Sequence, residues 1–375
     1  MDVKQKNLKE ILMGNFSIVS LLKSAVAKNV SDIHLKMHEP PAIRKDGKII
    51  RTQLPPLSEQ DFMEILEVLV PSSYRNKVFD AFDADFSYDM PGVARFRINL
   101  SHELGRMFMV IRVISFHVPT VEELNLPKSV EKFSMFTNGI VFITGATGCG
   151  KSSTLAAMVN FINKKQEKHI ITIEDPVEFV FSADRSIVTQ RQLGVDTPSF
   201  PEGIKYALRQ DPDVILIGEI RDRATMSAAL KAAETGHLVL TTMHTNDAIQ
   251  TINRVLGFYE PKDREYVRKQ IAESLRGTIA QRLIPRLDKA SRIPACEILV
   301  VTPTVKDFIM KDCLEQIYDL VKKGNFNEMI SLNLSLFNLY KNGIISKENA
   351  LYFSDNKIEL QQYMRGAFSG TSFTV

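Results

Sequence analysis

The segment that most constrains the fold runs from Gly145 to Ser152 and reads G-x-x-x-x-G-K-S. It follows an apolar run, Val141–Thr144, that predicts a buried strand, and it opens a pattern that predicts a helix over Lys151–Ile162. A strand, a glycine-rich turn and a helix in this order distinguish a phosphate-binding loop (P-loop) from a chance match of the same letters. We therefore expect a nucleotide site on an α/β sheet.

Each residue type in this loop has a chemical role in binding the phosphates of a nucleotide. The glycines let backbone N–H groups converge on phosphate oxygens, and the start of the helix adds a favourable dipole there. Lys151 is expected to reach the β- and γ-phosphates of ATP, and Ser152 to hold Mg²⁺. The predicted nucleotide-binding residues are contiguous: Gly145, Ala146, Thr147, Gly148, Cys149, Gly150, Lys151, Ser152 and Ser153.

The middle of the chain alternates between strand and helix patterns. Apolar runs at His169–Ile173, Val214–Ile217 and Leu238–Thr242 predict strands, and Arg223–Thr235 predicts a helix. Short apolar strands separated by helices indicate a parallel sheet with helices on both faces.

The flanking regions have different patterns. The first third reads as a small α+β domain, the segment Phe116–Leu126 has no clear period and predicts a linker, and the chain is mostly helical from about residue 261. A length of 375 residues suits two or three domains. The predicted divisions are 1–115 for the N-terminal domain, 116–126 for the linker, 127–290 for the ATPase core and 291–375 for a helical C-terminal region.

Charged and imidazole groups follow three of the predicted strands. Glu219 comes shortly after Val214–Ile217, where it would face the ligand crevice and could deprotonate a water molecule. Glu174 ends another strand in an acidic segment, and His244 follows Leu238–Met243, where it could sense a γ-phosphate. Alternatively, Glu219 is a solvated residue that begins a loop, and His244 only packs or caps. The P-loop favours the catalytic interpretation of Glu219.

Three arginines lie on strand-like segments of the first third: Arg97, Arg106 and Arg112. From the pattern alone, a solvated strand face is the better interpretation of all three.

Composition limits the function classes. Lys and Arg number 47 and Asp and Glu 44, so the net charge of +3 gives no support for direct nucleic-acid binding. The three cysteines show no metal-ligand spacing, which favours a reducing compartment without a zinc site. There is no apolar signal-peptide stretch, and no run approaches 18 apolar residues. We expect a cytoplasmic protein that docks on a membrane machine only through a partner.

Four motifs in this order resemble the secretion-type ATPases of type IV pili and type II secretion, and within them the PilT/PilU retraction ATPases. They are the P-loop, the acidic segment Glu174–Glu178, the Glu219 strand and the segment His237–His244. A further matching string is Gln281-Arg282-Leu283. The resemblance covers about residues 18 to 350.

The resemblance implies a fold and an activity. A PAS-like domain would precede a RecA-like ATPase domain with a helical C-terminal part, and six copies would form a ring. The ring would hydrolyse ATP with Mg²⁺ and power pilus retraction at the cytoplasmic face of the inner membrane. Its partners would be an inner-membrane platform protein and a sister retraction ATPase. Glu219 would be the catalytic base, and Arg97 and Arg112 would reach the phosphates, whereas Arg106 does not align cleanly.

Two departures from the family pattern bear on the function. Residues 304–311 lack both arginines that retraction ATPases carry in this string. An alternative function is therefore that of an accessory subunit, which binds nucleotide and regulates a partner motor without productive hydrolysis of its own. Assembly ATPases have an extra N-terminal domain and a four-cysteine zinc motif, and because this sequence shows no such pattern we do not expect a role in pilus extension.

Overall fold

The computed structural model describes residues 17–45, 47–70, 82–114, 117–289, 291–323 and 328–366. The chain divides into two compact units, with the boundary between His117 and Val118. The boundary predicted from the sequence, at residue 115, lies two positions earlier. Each unit is described by itself.

The first unit is built on an antiparallel sheet whose described strands lie in the order β3-β2-β1-β6-β5-β4. Helix α1 begins after Ser17, whose hydroxyl accepts the N–H of Ser20, and helix α2 begins after Ser58 in a capping box. The elements are α1 (Ile18–Ala27), β1 (Asp32–Lys36), β2 (Ala42–Lys45), β3 (Lys48–Arg51), α2 (Glu59–Leu69), β4 (Ala84–Met90), β5 (Ala94–Glu103) and β6 (Arg106–Ile114).

Alternation along β5 explains how this unit forms a core. Phe96, Ile98 and Leu100 are buried against the apolar faces of α1 and α2, whereas Arg97 and Asn99 lie on the opposite face of the sheet. The first unit therefore has one apolar sheet face and one polar face.

The second unit is built on a mixed sheet with the described strands in the order β13-β12-β7-β11-β10-β8-β9. All neighbours are parallel except β12 and β13. The elements up to this pair are α3 (Ser129–Ser134), β7 (Gly139–Thr144), α4 (Lys151–Lys165), β8 (His169–Glu174), β9 (Ile187–Gln192), α5 (Phe200–Ala207), β10 (Val214–Ile217), α6 (Arg223–Glu234), β11 (Leu238–Met243), α7 (Ala248–Gly257), α8 (Pro261–Ser274), β12 (Leu275–Pro285) and β13 (Arg292–Val300).

Helices cover both faces of this sheet. Ile140 and Phe142 of β7 belong to one apolar core with α6, α7 and α8, and Val141 and Ile143 belong to the opposite core with α4. Strands buried on both faces read as continuous apolar runs, which is why the sequence revealed them. The α/β fold class predicted from the sequence is confirmed.

The prediction of mostly helical structure after residue 261 is wrong for β12 and β13. The consecutive residues Gly277–Gln281 of β12 are all buried, so both faces of the strand are covered there and period-two alternation is lost. The predicted division at 290 passes between these paired strands. Helices follow from residue 303: α9 (Pro303–Met310), α10 (Glu315–Lys323), α11 (Leu332–Lys341), α12 (Lys347–Phe353) and α13 (Lys357–Met364). Within the described ranges, no helix is long and apolar enough to span a bilayer.

Part of the predicted linker is packed against the second unit. Val121 and Leu126 are buried in its core, and the side-chain amide of Asn160 donates to the carbonyls of Val118 and Pro119. Residues 118–126 of the predicted linker therefore belong to the second unit, while Phe116 lies outside the described residues. The aperiodic sequence of this segment reflects packing without regular structure.

Candidate nucleotide site

The P-loop runs from the end of β7 to the first turn of α4. Gly145, Gly148 and Gly150 have φ of 140°, 77° and 93°, a region that side-chain-bearing residues rarely adopt. A Cβ at Gly145 would lie 2.5 Å from the backbone oxygen of Gln281 and 2.6 Å from the sulfur of Cys149. The loop therefore requires glycine for backbone conformation and for space, as a phosphate cradle does.

The remaining loop residues occupy distinct places. Ala146, Thr147 and Gly148 are exposed at the apex, Cys149 is buried beneath them, and Ser152 and Ser153 are half-buried in the first turn of α4. Backbone N–H groups at the start of a helix bind anions, so this arrangement fits the phosphates of ATP.

Lys151 is the first residue of α4, and its side chain is folded into the loop. The ammonium group donates to the carbonyl of Gly145 at 2.8 Å and to that of Ala146 at 3.0 Å. Burial lowers the pKa of Lys151, while the charges of Cys149, Glu219 and Glu178 act in the opposite direction. The cation thus lies within electrostatic reach of the carboxylates at the same edge of the sheet.

Four strand ends meet at that edge. β7, β11, β10 and β8 are parallel neighbours in this order. Gly145 follows β7, His244 follows β11, Glu219 stands two residues after β10, and β8 ends at Glu174. Ligands of open α/β sheets bind at the carboxyl ends of the strands. The fold therefore gathers the four predicted motifs at a single edge.

The carboxylate of Glu219 contacts the side chains of two basic residues. One carboxylate oxygen lies 2.7 Å from a terminal nitrogen of Arg221, and the other lies 3.5 Å from Nε2 of His244. The Glu219 side chain is only 18% exposed, whereas that of Arg221 is 73% exposed. The sequence pattern gave Arg221 no place in the site. Its contact with Glu219 depends on a turn that the letters do not specify.

Glu174 occupies a different environment. Its carboxylate accepts the hydroxyl of Thr172 at 2.6 Å, the amide of Gln190 at 3.4 Å and the backbone N–H of Glu178 at 3.5 Å. Burial raises the pKa of Glu174 despite these hydrogen bonds. Two carboxyl groups at one edge with different surroundings can take different roles in proton transfer.

His237 lies at the other end of β11 from His244. Its Nδ1 is 3.0 Å from the carbonyl of Ala232, and its backbone carbonyl accepts the N–H of Gly139. These contacts close the end of α6 and join β11 to β7. His237 therefore has a structural place, and His244 is the histidine of the candidate site.

In the first unit, the arginines Arg97 and Arg112 are cross-strand neighbours on β5 and β6. Nε of Arg112 donates to Asp32 at 2.8 Å, and Nε of Arg97 lies 3.8 Å from Asp85. Burial acts to raise the pKa of Asp32, but hydrogen bonds from Arg112 and Ser31 hold it below its ordinary value. Asp32 therefore fixes the orientation of the Arg112 guanidinium through its Nε atom. The Arg112 side chain is nevertheless 64% exposed.

Arg106 begins β6 beside a tight turn. It is exposed and stands opposite Glu103 in the register.

The string 304–311 forms most of α9. Val305 and Ile309 are buried, which keeps the helix attached to the core. Lys306 donates to Glu273 at 2.9 Å, and Met310 is exposed. The lost arginines therefore change the outer surface of this helix and leave its buried side apolar.

Glu297 of β13 is a buried carboxyl that sequence reasoning missed. It accepts the backbone N–H of Ala248 at 3.0 Å, at the first residue of α7. Burial raises the pKa of Glu297 to about 7, and the nearby carboxylates Asp247 and Asp355 act in the same direction.

This shift predicts a pH-dependent stability. Because the folded-state pKa is raised, the stabilising contribution of Glu297 is fully present below about pH 4.5 and is lost as pH rises through about 7. Each pKa unit is worth 1.36 kcal/mol, so the loss is about 3 kcal/mol of unfolding free energy. We expect Glu297→Gln to lose this part of the pH dependence in urea unfolding at pH 5 and pH 8. The exposed Glu273→Gln is the control. If the unfolding free energy changed by the same amount between pH 5 and pH 8 in Glu297→Gln as in the parent, the prediction would be contradicted.

Comparisons with known proteins agree on one family. The model of the family described as Type II/IV secretion system protein matches residues 91–332. The chain is 40% identical over 333 residues to the type IV pilus retractation ATPase PilT of Pseudomonas aeruginosa, covering 89% of this chain and 96% of that protein. It is 36% identical over 342 residues to the type IV pilus ATPase PilU of the same organism, covering 91% and 89%.

A solved structure supports the same relationship. The crystal structure of the pilus retraction motor PilT with bound ADP matches with a TM-score of 0.87 and 38% sequence identity, covering 93% of this chain and 100% of that one. The similarity thus extends through both units.

Proposed function

Because the chain belongs to the Type II/IV secretion system protein family, we propose that it is a motor ATPase that hydrolyses ATP to power type IV pilus retraction. The family predicted from the four motifs is confirmed. The observation that carries the proposal is the meeting of P-loop, His244, Glu219 and Glu174 at the ends of four neighbouring strands. Retraction is the activity named for its relative PilT.

The residues at this edge supply the parts that phosphoryl transfer requires. Lys151 brings positive charge to the phosphate oxygens, and the hydroxyl of Ser152 would hold Mg²⁺. A bound Mg²⁺ would neutralise charge on the β- and γ-phosphate oxygens. Glu219 accepts the proton of the attacking water, while Arg221 and His244 fix the direction of its carboxylate.

Glu219→Gln tests the base. The amide keeps the size of the side chain but cannot accept a proton, so we expect ATP to bind and hydrolysis to slow by ~100-fold or more. The measurement is phosphate release together with the affinity for a fluorescent ATP analogue. Glu202→Gln is a matched control because that carboxylate is exposed and pairs with Lys205. Near-parent turnover in Glu219→Gln, with slow turnover in Glu174→Gln, would transfer the base to Glu174.

The assembly follows from the same family. Six copies form a ring at the cytoplasmic face of the inner membrane, where the ring acts on a pilus platform protein and works beside a sister retraction ATPase. Arg97 and Arg112 of the first unit act on the phosphates in the assembled ring. What supports this assignment is their motif match and the fixed orientation of Arg112 on Asp32.

A second function, that of a non-hydrolysing accessory subunit, is favoured by one observation. The surface of α9 carries Lys306 paired with Glu273 and an exposed Met310 where the family string has arginines. Pilus length and twitching in a deletion strain complemented by this gene alone separate the two functions. A motor restores retraction without its sister, whereas an accessory subunit restores it only beside the sister.

A further inference from the structure

A buried glutamine links the P-loop to the neighbouring strand. Gln281 of β12 is 2% exposed, and its side-chain amide nitrogen donates to the backbone carbonyl of Cys149 at 2.7 Å. Its amide oxygen accepts the hydroxyl of Thr154 at 2.9 Å, in the second turn of α4. One side chain therefore holds both the loop and the helix that follows it.

The backbone around Gln281 adds close contacts. A Cβ atom added to Gly145 would lie 2.5 Å from the backbone carbonyl oxygen of Gln281. A Cβ atom added to Gly150 would lie 3.1 Å from the side-chain amide nitrogen of Gln281. Gln281 therefore packs against the P-loop at both of its ends, Gly145 and Gly150. A polar side chain in a strand with both faces covered would cost free energy unless its hydrogen bonds were made, and here both ends of the amide have partners.

We propose that Gln281 is a positioning residue that sets the conformation of the P-loop through its bonds to Cys149 and Thr154. This inference rests on the proposed nucleotide site and adds a residue to it. A carbonyl only accepts hydrogen bonds, so the Cys149 contact requires a donor at position 281. Glutamate can supply that donor only when it is protonated, and methionine cannot supply it at all.

The test combines substitutions that remove different parts of the contact. In Gln281→Met, we expect nucleotide affinity to fall about 10-fold, the scale for a lost buried hydrogen bond. Turnover at saturating ATP should stay within about threefold, because the loop binds substrate and transition state alike. Gln270→Met is the matched control, since the Gln270 side chain donates to Glu234 at the surface and has no other hydrogen-bond partner among the described residues.

A pH profile separates positioning from a general packing defect. A glutamate buried at position 281 has a raised pKa, so Gln281→Glu should regain affinity as pH is lowered from 8 to 6, whereas Gln281→Met should not. Thr154→Val should weaken binding more than Thr154→Ser, which keeps the hydroxyl. Equal loss in Gln281→Glu at both pH values, or affinity of Gln281→Met within about twofold of the parent, would overturn the proposal.

A second readout does not depend on hydrolysis. Cys149 is buried inside the loop and Cys296 is fully buried, so in a Cys313→Ser background a thiol reagent reports on the loop. We expect the modification rate of Cys149 to rise in Gln281→Met and to stay at the parent rate in Gln270→Met. An unchanged rate in Gln281→Met would refute the positioning role even if the chain hydrolysed no ATP. A raised rate in a chain without hydrolysis would refute the proposed function alone.

Discussion

Lys151→Ala is expected to reduce ATP hydrolysis to background and to abolish tight nucleotide binding. Lys151 is the only lysine of the loop, and it is the group that carries positive charge to the β- and γ-phosphates. Its ammonium bonds only to the carbonyls of Gly145 and Ala146 among the described residues, so removing it should leave the sheet and the helices intact. Phosphate release tests the loss of hydrolysis, the affinity for a fluorescent ATP analogue tests the loss of binding, and circular dichroism tests whether the fold is intact.

Lys164→Ala is the matched control for this substitution. Lys164 lies in the last turn of the same helix, at the end remote from the loop, and it is exposed. We expect parent activity in this control. Unchanged turnover in Lys151→Ala would remove the P-loop assignment.

Arg112→Ala is expected to slow hydrolysis by ~10³-fold or more in the assembled ring, the scale on which an arginine stabilises phosphoryl transfer in other enzymes. Negative charge on the transferred phosphoryl group grows in the transition state, and a fixed guanidinium stabilises it without reorganising. Asp32 provides that fixed orientation through Nε of Arg112. Turnover and nucleotide affinity are measured together, so that loss of catalysis is separated from loss of binding.

Arg44→Ala controls for the removal of an arginine beside Asp32. Nε of Arg44 lies 3.9 Å from the other carboxylate oxygen of Asp32, on the neighbouring strand. We expect this variant to keep its turnover, and melting temperatures of both variants show whether the first unit stays folded. Parent rates in both Arg97→Ala and Arg112→Ala would mean that the first unit takes no part in catalysis.

The elements nearest the site were predictable because their sequences leave few alternatives. Val214–Ile217 matches β10, and the helix predicted to begin at Lys151 is α4. Continuous apolar runs with helices between them have one common solution, a parallel sheet covered on both faces. The loop glycines were predictable for the same reason, since their chemistry is local.

Features that depend on strand order could not be read from the sequence. β7 lies between β11 and β12, so His244 and Gln281 approach the P-loop from strands that come much later in the chain. Gln281 and Glu297 are polar residues in buried strands, where pattern reasoning expects apolar ones. Strand β9 escaped prediction because it is a half-buried edge strand with a polar sequence.

For Arg97 and Arg112 the sequence pattern predicted the position in the fold but not a function. A solvated strand face was the better interpretation of Arg97 and Arg112 from pattern alone, and both do lie on the polar face of the first sheet. Their predicted part at the phosphates comes from the family resemblance, and it stays a prediction until the variants are measured.

The most direct test is steady-state phosphate release by the purified full chain, with Mg²⁺ and ATP and without any other pilus protein. We predict repeated turnover by the parent chain and loss of that turnover in Glu219→Gln, while the variant still binds the ATP analogue. Tight nucleotide binding by the parent chain with no release of phosphate would contradict the motor function and leave the accessory subunit as the function of this protein.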